Sequence, residues 1–304
     1  MTRTDDTSLP PPGPVASHDL RLPLELAQLA RQTAVRRCAL GWIAGAAGLA
    51  LTGCGGGSDE TSSTTDTGST ATGTAGSTTG STATSTVSSC STIPEETAGP
   101  YPGDGSNTSG AAVANALALP GIVRSDIRTG IAGASGMADG VPLTVELRLV
   151  NSGAACADLA AYAVYLWHCD AQGRYSMYSS GVTAENYLRG VQVTDAQGVA
   201  IFQTVFPGCC SGRMPHIHFE VYRSATSASQ YTHKLRTSQL AFPTAPCSEV
   251  YAGHAAYAAS VRNVAAISFA SDNVFSDGVG LQLATVGGDV VDGYRASPTV
   301  GIAA

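Results

Sequence analysis

The sequence predicts an all-β, β-sandwich-like domain over residues 91–304. Short β-rich segments after residue 90 are separated by Gly, Asp, Pro and Ser, which is typical of strands joined by tight turns. No long helical periodicity follows residue 90. The preceding stretch is nearly all Ser, Thr and Gly and contains no apolar pattern that could form a core. These observations favour one folded β domain behind an unfolded N-terminal region.

The N-terminal region has the order of an export signal. In "RRCALGWIAGAAGLALTGC" (36–54), a basic start precedes an apolar run that is too short to cross a bilayer comfortably. The ending "LTGC" resembles the bacterial lipobox, so we expect residues 1–53 to be removed and Cys54 to carry lipid. Arg36 and Arg37 suggest twin-arginine export, with the general secretory route still open. The alternative is a cytosolic protein with a buried apolar N-terminal helix.

Residues 54–90 are predicted to form a flexible tether, because their composition cannot offset the entropy of ordering. A coil of this length spans roughly 30–35 Å. The predicted product is therefore an exported protein that is lipid-anchored to the cell envelope, facing the periplasm or the surface.

Charge excludes some partners. Five of the 16 basic and four of the 23 acidic residues lie in 1–53, so the remainder has 11 basic and 19 acidic residues and a formal charge of −8. Such an acidic domain is a poor candidate for binding nucleic acid, and we expect membrane contact only through lipid on Cys54. Export permits disulfides, but the pairing of the cysteines beyond Cys54 stays open: they are residues 90, 156, 169, 209, 210 and 247.

Strands are predicted where apolar residues alternate or cluster. "PLTVELRLV" (142–150) alternates apolar and polar residues, as a strand with one buried face does. "AVYLWH" (163–168) and "VAIFQTVF" (199–206) are more fully apolar, and "DAQG" turns occupy 170–173 and 195–198. In "HIHFEVY" (216–222), strand geometry turns His216 and His218 to one face. Two imidazoles on one face can bind a metal, or can be a half-exposed polar pair.

Six ordered blocks resemble the intradiol ring-cleavage dioxygenases, the family of catechol and protocatechuate dioxygenases, and especially their exported branch. The resemblance as a whole covers about two thirds of the chain. The blocks that carry it are "PEETAGPYPGDGSN" (94–107), "GIVRSDIRTG" (121–130), "VYLWHCDAQGRYSMY" (164–178), "NYLRGVQVTDAQG" (186–198), "GRMPHIHFEVY" (212–222) and "TSQLAFP" (237–243).

The resemblance implies a non-haem ferric ion, Fe(III), bound by two tyrosines and two histidines. Tyr175 of "GRYS" matches the first tyrosine, and the H-x-H motif supplies His216 and His218. Anionic phenolate oxygen suits a hard ferric ion. The implied reaction uses O2 to cleave catechol-type aromatic diols between the two hydroxylated carbons, which gives muconate-type diacids.

The second ligand tyrosine is missing, because Cys210 stands at its position. In the family this tyrosine is thought to leave the iron and accept a proton when catechol binds. A Cys210 thiolate would favour zinc or copper. Alternatively, Cys210 forms a disulfide, with a distant cysteine favoured over neighbouring Cys209. Tyr178 and Tyr187 belong to other blocks and are not obvious replacements.

The resemblance also implies catalytic roles for Arg213, which would stabilise negative charge on the substrate, and for Gln239 beside the site. The non-catalytic alternatives are a surface salt bridge for Arg213 and a buried hydrogen-bonding role for Gln239. The sequence therefore predicts an intradiol dioxygenase-like enzyme. The rival is a non-catalytic envelope binding protein on the same fold, because Cys210 replaces a ligand. A redox protein using Cys209 and Cys210 is less favoured, since they lack C-x-x-C spacing.

Overall fold

The computed structural model describes residues 90–304. The export signal, Cys54 and the tether up to residue 89 lie outside the described residues. Cys90, the last residue of the predicted tether, is joined by a disulfide to Cys156. Across residues 90–304, no helix is both long enough and apolar enough to span a membrane.

The strands form a hairpin and two larger sheets. The hairpin pairs β1 (Asp104–Ser109) with β2 (Ala112–Asn115). The first large sheet is mixed and is centred on β3 (Pro142–Asn151), which pairs antiparallel with β4 (Ala157–Asp158). The second large sheet is antiparallel, in the order β6 (Arg189–Val193), β5 (Ala163–Trp167), β8 (His216–Tyr222) and β9 (Lys234–Ala241).

The mixed sheet is completed around β3 by later strands. β7 (Val199–Val205) pairs antiparallel with β3, whereas β11 (Gly293–Ala296) and β12 (Thr299–Ile302) pair parallel with it. β10 (Val286–Asp289) adds an antiparallel edge to β11. The chain end therefore returns to the sheet in which the domain's first long strand lies.

The main core lies between the two large sheets. The alternating apolar residues of β3 are all buried, as their spacing predicts. Ile217, Phe219 and Val221 of β8 join the same core from the antiparallel sheet. Burying each such side chain contributes about 1.5–3 kcal/mol to folding. This packing confirms the predicted all-β sandwich-like class and fixes which face of β8 points away from the core.

The outer face of the antiparallel sheet is also covered. Tyr165 and Trp167 of β5 belong to a second buried cluster, against which segments near Tyr101 and Tyr175 pack. His216 and His218 lie on this face of β8 and are each only 3% exposed. The paired histidines are therefore enclosed, and the half-exposed polar pair considered for them does not occur.

Within residues 90–304, two short α-helices interrupt the β pattern: α1 (Thr244–Gly253) and α2 (Ala258–Ala265). Pro246 falls in the first turn of α1, where a proline is tolerated because its missing N–H would have no partner within the helix. α1 buries Cys247, Val250 and Tyr251 against the main core.

Candidate metal centre

Three potential metal donors converge on the outer face of the antiparallel sheet. Nε2 of His216 lies 3.0 Å from Nε2 of His218 and 3.3 Å from Oη of Tyr175. β8 supplies both imidazoles, and Tyr175 follows the turn after β5, its side chain 4% exposed. The structure thus brings together the three donors expected from the sequence, although Tyr175 precedes His216 by 41 positions and His218 by 43.

Neighbouring groups orient the two imidazole rings so that their Nε2 atoms face each other. Nδ1 of His216 is 2.6 Å from the carbonyl oxygen of Met214, so Nδ1–H donates there and Nε2 presents a lone pair. The His218 ring stacks on Trp167, with 5.0 Å between centroids and 4° between planes. Gly99 has φ +70°, and a Cβ there would lie 3.2 Å from Cε1 of His218. This glycine lets the N-terminal segment approach the imidazole closely.

Burial sets the charge state of the donors. Burial, with Arg213 as the next cause, lowers the pKa of His216 to about 3. Burial and the neighbouring His216 hold the pKa of His218 well below its usual value. Both imidazoles are therefore neutral at physiological pH, which is the form that binds metals. Burial also raises the pKa of Tyr175 well above its usual value, so a phenolate there requires a compensating cation.

These donors fit a metal ion. Nitrogen ligands about 2.1 Å from a metal and at right angles to each other are about 3.0 Å apart, and the two Nε2 atoms have this separation. Nothing in residues 90–304 groups three or more His, Cys, Asp or Glu side chains in a metal-binding arrangement. The candidate centre differs because one of its donors is a phenol, and the donor set of one phenol and two imidazoles suits ferric iron.

Arg213 is held at the edge of this site by a buried network. Its Nε lies 3.1 Å from Oδ1 and 3.0 Å from Oδ2 of Asp272, and its Nη2 donates to Oε1 of Gln239 at 2.6 Å. Nε2 of Gln239 donates in turn to the carbonyl of Thr97. The Arg213 side chain is 16% exposed and Asp272 is fully buried, so the surface salt bridge considered for Arg213 does not occur. Gln239 does have the buried hydrogen-bonding role that was its alternative.

Cys210 lies beside Tyr175, in agreement with its sequence position. Its thiol approaches the carbonyl oxygen of Gly173 at 3.5 Å, in the loop that leads to Tyr175. The hydrogen bond from Cys169, supported by the charge of Arg213, lowers the pKa of Cys210. Cys210 and Cys209 are both unbonded cysteines in this structure.

The two nearby tyrosines do not replace the missing ligand. Oη of Tyr178 donates to Asn107 and accepts from the N–H of Gly103. Oη of Tyr187 is directed to the carboxylate of Asp170 at 3.3 Å. Both hydroxyls are therefore engaged by other parts of the fold.

Two further residues support the site and were not singled out in the sequence. Asp272 fixes Arg213 from 59 positions away. Arg189 is 1% exposed and donates hydrogen bonds to the carbonyls of Tyr101, Pro102 and Ser176. These bonds join the segment before β1 to the loop that carries Tyr175. The available signal for Arg189 was a charged residue at the start of a β-rich segment. For Asp272 the sequence carries no local signal.

Comparisons with known proteins identify the family and the fold of the chain. A family model described as "Dioxygenase" matches residues 126–281. An intradiol ring-cleavage dioxygenase from Tetranychus urticae is similar in structure, with a TM-score of 0.53, 23% identity, and coverage of 70% of this chain and 95% of that one. A second dioxygenase crystal structure has a TM-score of 0.52, 22% identity, and coverage of 70% and 94%. No match was found among curated proteins.

Proposed function

The chain belongs to the intradiol ring-cleavage dioxygenase family, and from this premise we propose that it is a non-haem Fe(III) enzyme that cleaves catechol-type diols with O2. Both oxygen atoms of O2 enter the product, a muconate-type diacid. The observation that carries the proposal is the meeting of Tyr175, His216 and His218 beside a fixed Arg213.

Tyr175, His216 and His218 would hold the iron. A bound ferric ion would supply Lewis acidity that favours the deprotonated form of a catechol-type substrate and prepares it for the reaction with O2. The chain's part is to present two neutral imidazoles and one phenol in a site from which water is largely excluded. The stacked Trp167 ring and the close backbone of Gly99 keep the His218 ring in one orientation.

Arg213 would stabilise the negative charge of the activated substrate ring. Its charge acts strongly because the site is buried and has a low effective dielectric constant. Asp272 and Gln239 hold the guanidinium group in place before substrate arrives, so little reorganisation is needed in the transition state. Replacing Arg213 with methionine should lower ring cleavage by about a hundredfold or more.

Cys210 makes this enzyme slower than one with two ligand tyrosines. It lacks the phenol that would provide a second anionic oxygen ligand and a proton acceptor. Cys210→Tyr should therefore raise the rate of ring cleavage. Cys247→Ser is a matched control, because Cys247 is a buried cysteine of α1 in the main core.

The test compares iron-loaded wild type, Cys210→Tyr, Arg213→Met and Cys247→Ser with catechol and protocatechuate as substrates. Oxygen consumption and muconate-type product are measured together. The proposal expects slow turnover by wild type, faster turnover by Cys210→Tyr and loss in Arg213→Met. Full activity in wild type combined with impairment by Cys210→Tyr would contradict our account of this position. Inactivity of all four proteins would contradict the enzymatic proposal.

The second candidate is a non-catalytic envelope binding protein, and the observation that favours it is Cys210 itself. On this alternative the site keeps a metal and binds catechols without consuming O2. Titrating the iron-loaded chain with catechol while recording both the visible spectrum and dissolved oxygen distinguishes the two. A spectral change without oxygen uptake supports the binding protein.

We also propose that the protein is exported and attached to the cell envelope through lipid on Cys54. The support is the order of basic residues, apolar run and "LTGC" before a Ser/Thr/Gly-rich stretch. Mass spectrometry of the membrane fraction should find residues 1–53 absent and Cys54 lipidated, and Cys54→Ser should accumulate as precursor. An unmodified Cys54 in membrane-associated protein would contradict the anchor.

A further inference from the structure

Four cysteines within residues 90–304 are unbonded, and two of them form a pair. Cys209 donates to the carbonyl of Arg213 at 3.3 Å, and Cys247 lies in the main core. Cys169 and Cys210, by contrast, lie in two loops that contact each other. Cys169 Sγ approaches the carbonyl of Gly208 at 3.4 Å, and Cys210 Sγ approaches the carbonyl of Gly173 at 3.5 Å. Each thiol therefore reaches the loop that carries the other cysteine.

The backbones of these loops are in close contact. A Cβ on Gly208 would lie 2.5 Å from the carbonyl oxygen of Asp170 and 2.8 Å from that of Ala171. On the other side, a Cβ on Gly173 would lie 3.6 Å from Cα of Cys210. Disulfides need Cα atoms about 4.4–6.8 Å apart, which requires backbones this near each other. The backbones of the two loops are therefore already in contact, and no strand or helix has to move to bring them together.

The two sulfurs differ in access. Cys210 is half-buried, whereas Cys169 is 1% exposed. A small oxidant can therefore reach Cys210 first, and Cys169 is positioned behind it to complete the bond. This division into an attacking and a resolving thiol is the usual basis of a reversible dithiol site.

We propose that Cys169 and Cys210 form a reversible dithiol–disulfide site in the wall of the candidate metal centre, oxidised by small-molecule disulfides. The Cys210 thiolate attacks one sulfur of the oxidant, which expels one small thiol and leaves a mixed disulfide. Cys169 then attacks Sγ of Cys210 and expels the second small thiol. Two electrons pass to the oxidant, and the two protons lost by the cysteines end on the released thiols.

The cross-link joins the loops that carry the candidate site. The chain runs from Cys169 to Tyr175 in one loop, and from Cys210 through Arg213 to His216 in the other. Oxidation constrains both loops together. The proposal concerns the cysteines alone and stands whether or not the metal centre turns over catechols.

Mapping the disulfide in the full chain tests the proposal. Protein is equilibrated with oxidised or reduced glutathione, alkylated, and digested with trypsin plus a protease that cuts before aspartate. Peptides 158–169 and 195–213 then carry Cys169 alone and the Cys209–Cys210 pair. We expect these peptides to be linked after oxidation and separated again by reductant. The link should persist in Cys209→Ser and disappear in Cys210→Ser and Cys169→Ser.

Three results would overturn the proposal. The first is wild-type protein in which the two peptides stay unlinked at any glutathione ratio. The second is a link that survives in Cys210→Ser, which would assign it to Cys209. The third is Cys210 that stops at the glutathione mixed disulfide, which would deny Cys169 its resolving role. The wild-type mapping does not depend on the folding of any variant.

Discussion

Replacing Asp272 with asparagine should destabilise the protein by breaking the buried partner of Arg213. Both carboxylate oxygens of Asp272 accept a hydrogen bond from Nε–H of Arg213, at 3.1 and 3.0 Å. It also accepts the N–H of Met214 at 2.6 Å, of Val274 at 2.8 Å and of Phe275 at 3.2 Å. Burial raises the pKa of Asp272, but Arg213 and the backbone donors outweigh it, and the net pKa is lowered.

The expected cost follows from the exposure of the pair. Removing one partner of a buried ion pair costs about 3–5 kcal/mol. Arg213 keeps 16% exposure while Asp272 has none, so we take the lower end, about 3 kcal/mol. For a folded region of this size, that corresponds to a decrease in Tm of about 6–12 °C. Asp158→Asn is the control, because Asp158 pairs with Arg148 in an exposed salt bridge and should cost less than about 1 kcal/mol.

A double-mutant cycle measures the interaction directly. The free energy of unfolding is determined by urea denaturation for wild type, Asp272→Asn, Arg213→Met and the double variant. The double variant should be more stable than the sum of the single effects predicts, by at least about 1.5 kcal/mol. A single-variant cost below about 0.5 kcal/mol, or additive effects, would refute the idea that Asp272 holds Arg213 in place.

Two further changes test contributions to the stability of the folded domain. Replacing Cys90 and Cys156 together with serine should lower the free energy of unfolding by about 4 kcal/mol. The reason is that the disulfide closes a loop with a sequence separation of 66. A urea midpoint equal to that of wild type would contradict this prediction. Burial lowers the pKa of His168 to about 4, whereas its pKa in the unfolded chain is near 6.5. The neutral imidazole therefore contributes about 3 kcal/mol to the free energy of unfolding. This contribution is present above pH 6.5 and is lost as the pH falls toward 4. His168→Gln should flatten that part of the stability profile, and an unchanged profile in this variant would contradict the assignment.

The fold was largely predictable because period-2 patterns report burial directly. Leu143, Val145, Leu147 and Leu149 alternate in sequence and are all buried in β3. The two "DAQG" segments are turns, as composition indicates. The short helices α1 and α2 were missed because each is too brief for its periodicity to exceed background. Their formation depends on packing against the finished sheet.

The site was predictable only where its residues share a motif. The H-x-H spacing places His216 and His218 on one face, and the family resemblance adds Tyr175. Asp272 and the Cys90–Cys156 bond depend on contacts between distant segments, and no local pattern encodes such contacts. The contact between the loops of Cys169 and Cys210 likewise forms only in the folded chain.

Iron content together with the visible spectrum tests the central claim, that Tyr175, His216 and His218 hold a ferric ion. The purified chain should bind iron stoichiometrically and be coloured by phenolate-to-iron charge transfer. Tyr175→Phe should lose the colour, and the double variant His216→Ala, His218→Ala should lose the iron, whereas His254→Ala should behave as wild type. A colourless iron-loaded protein, or full iron content in the double variant, would contradict the account.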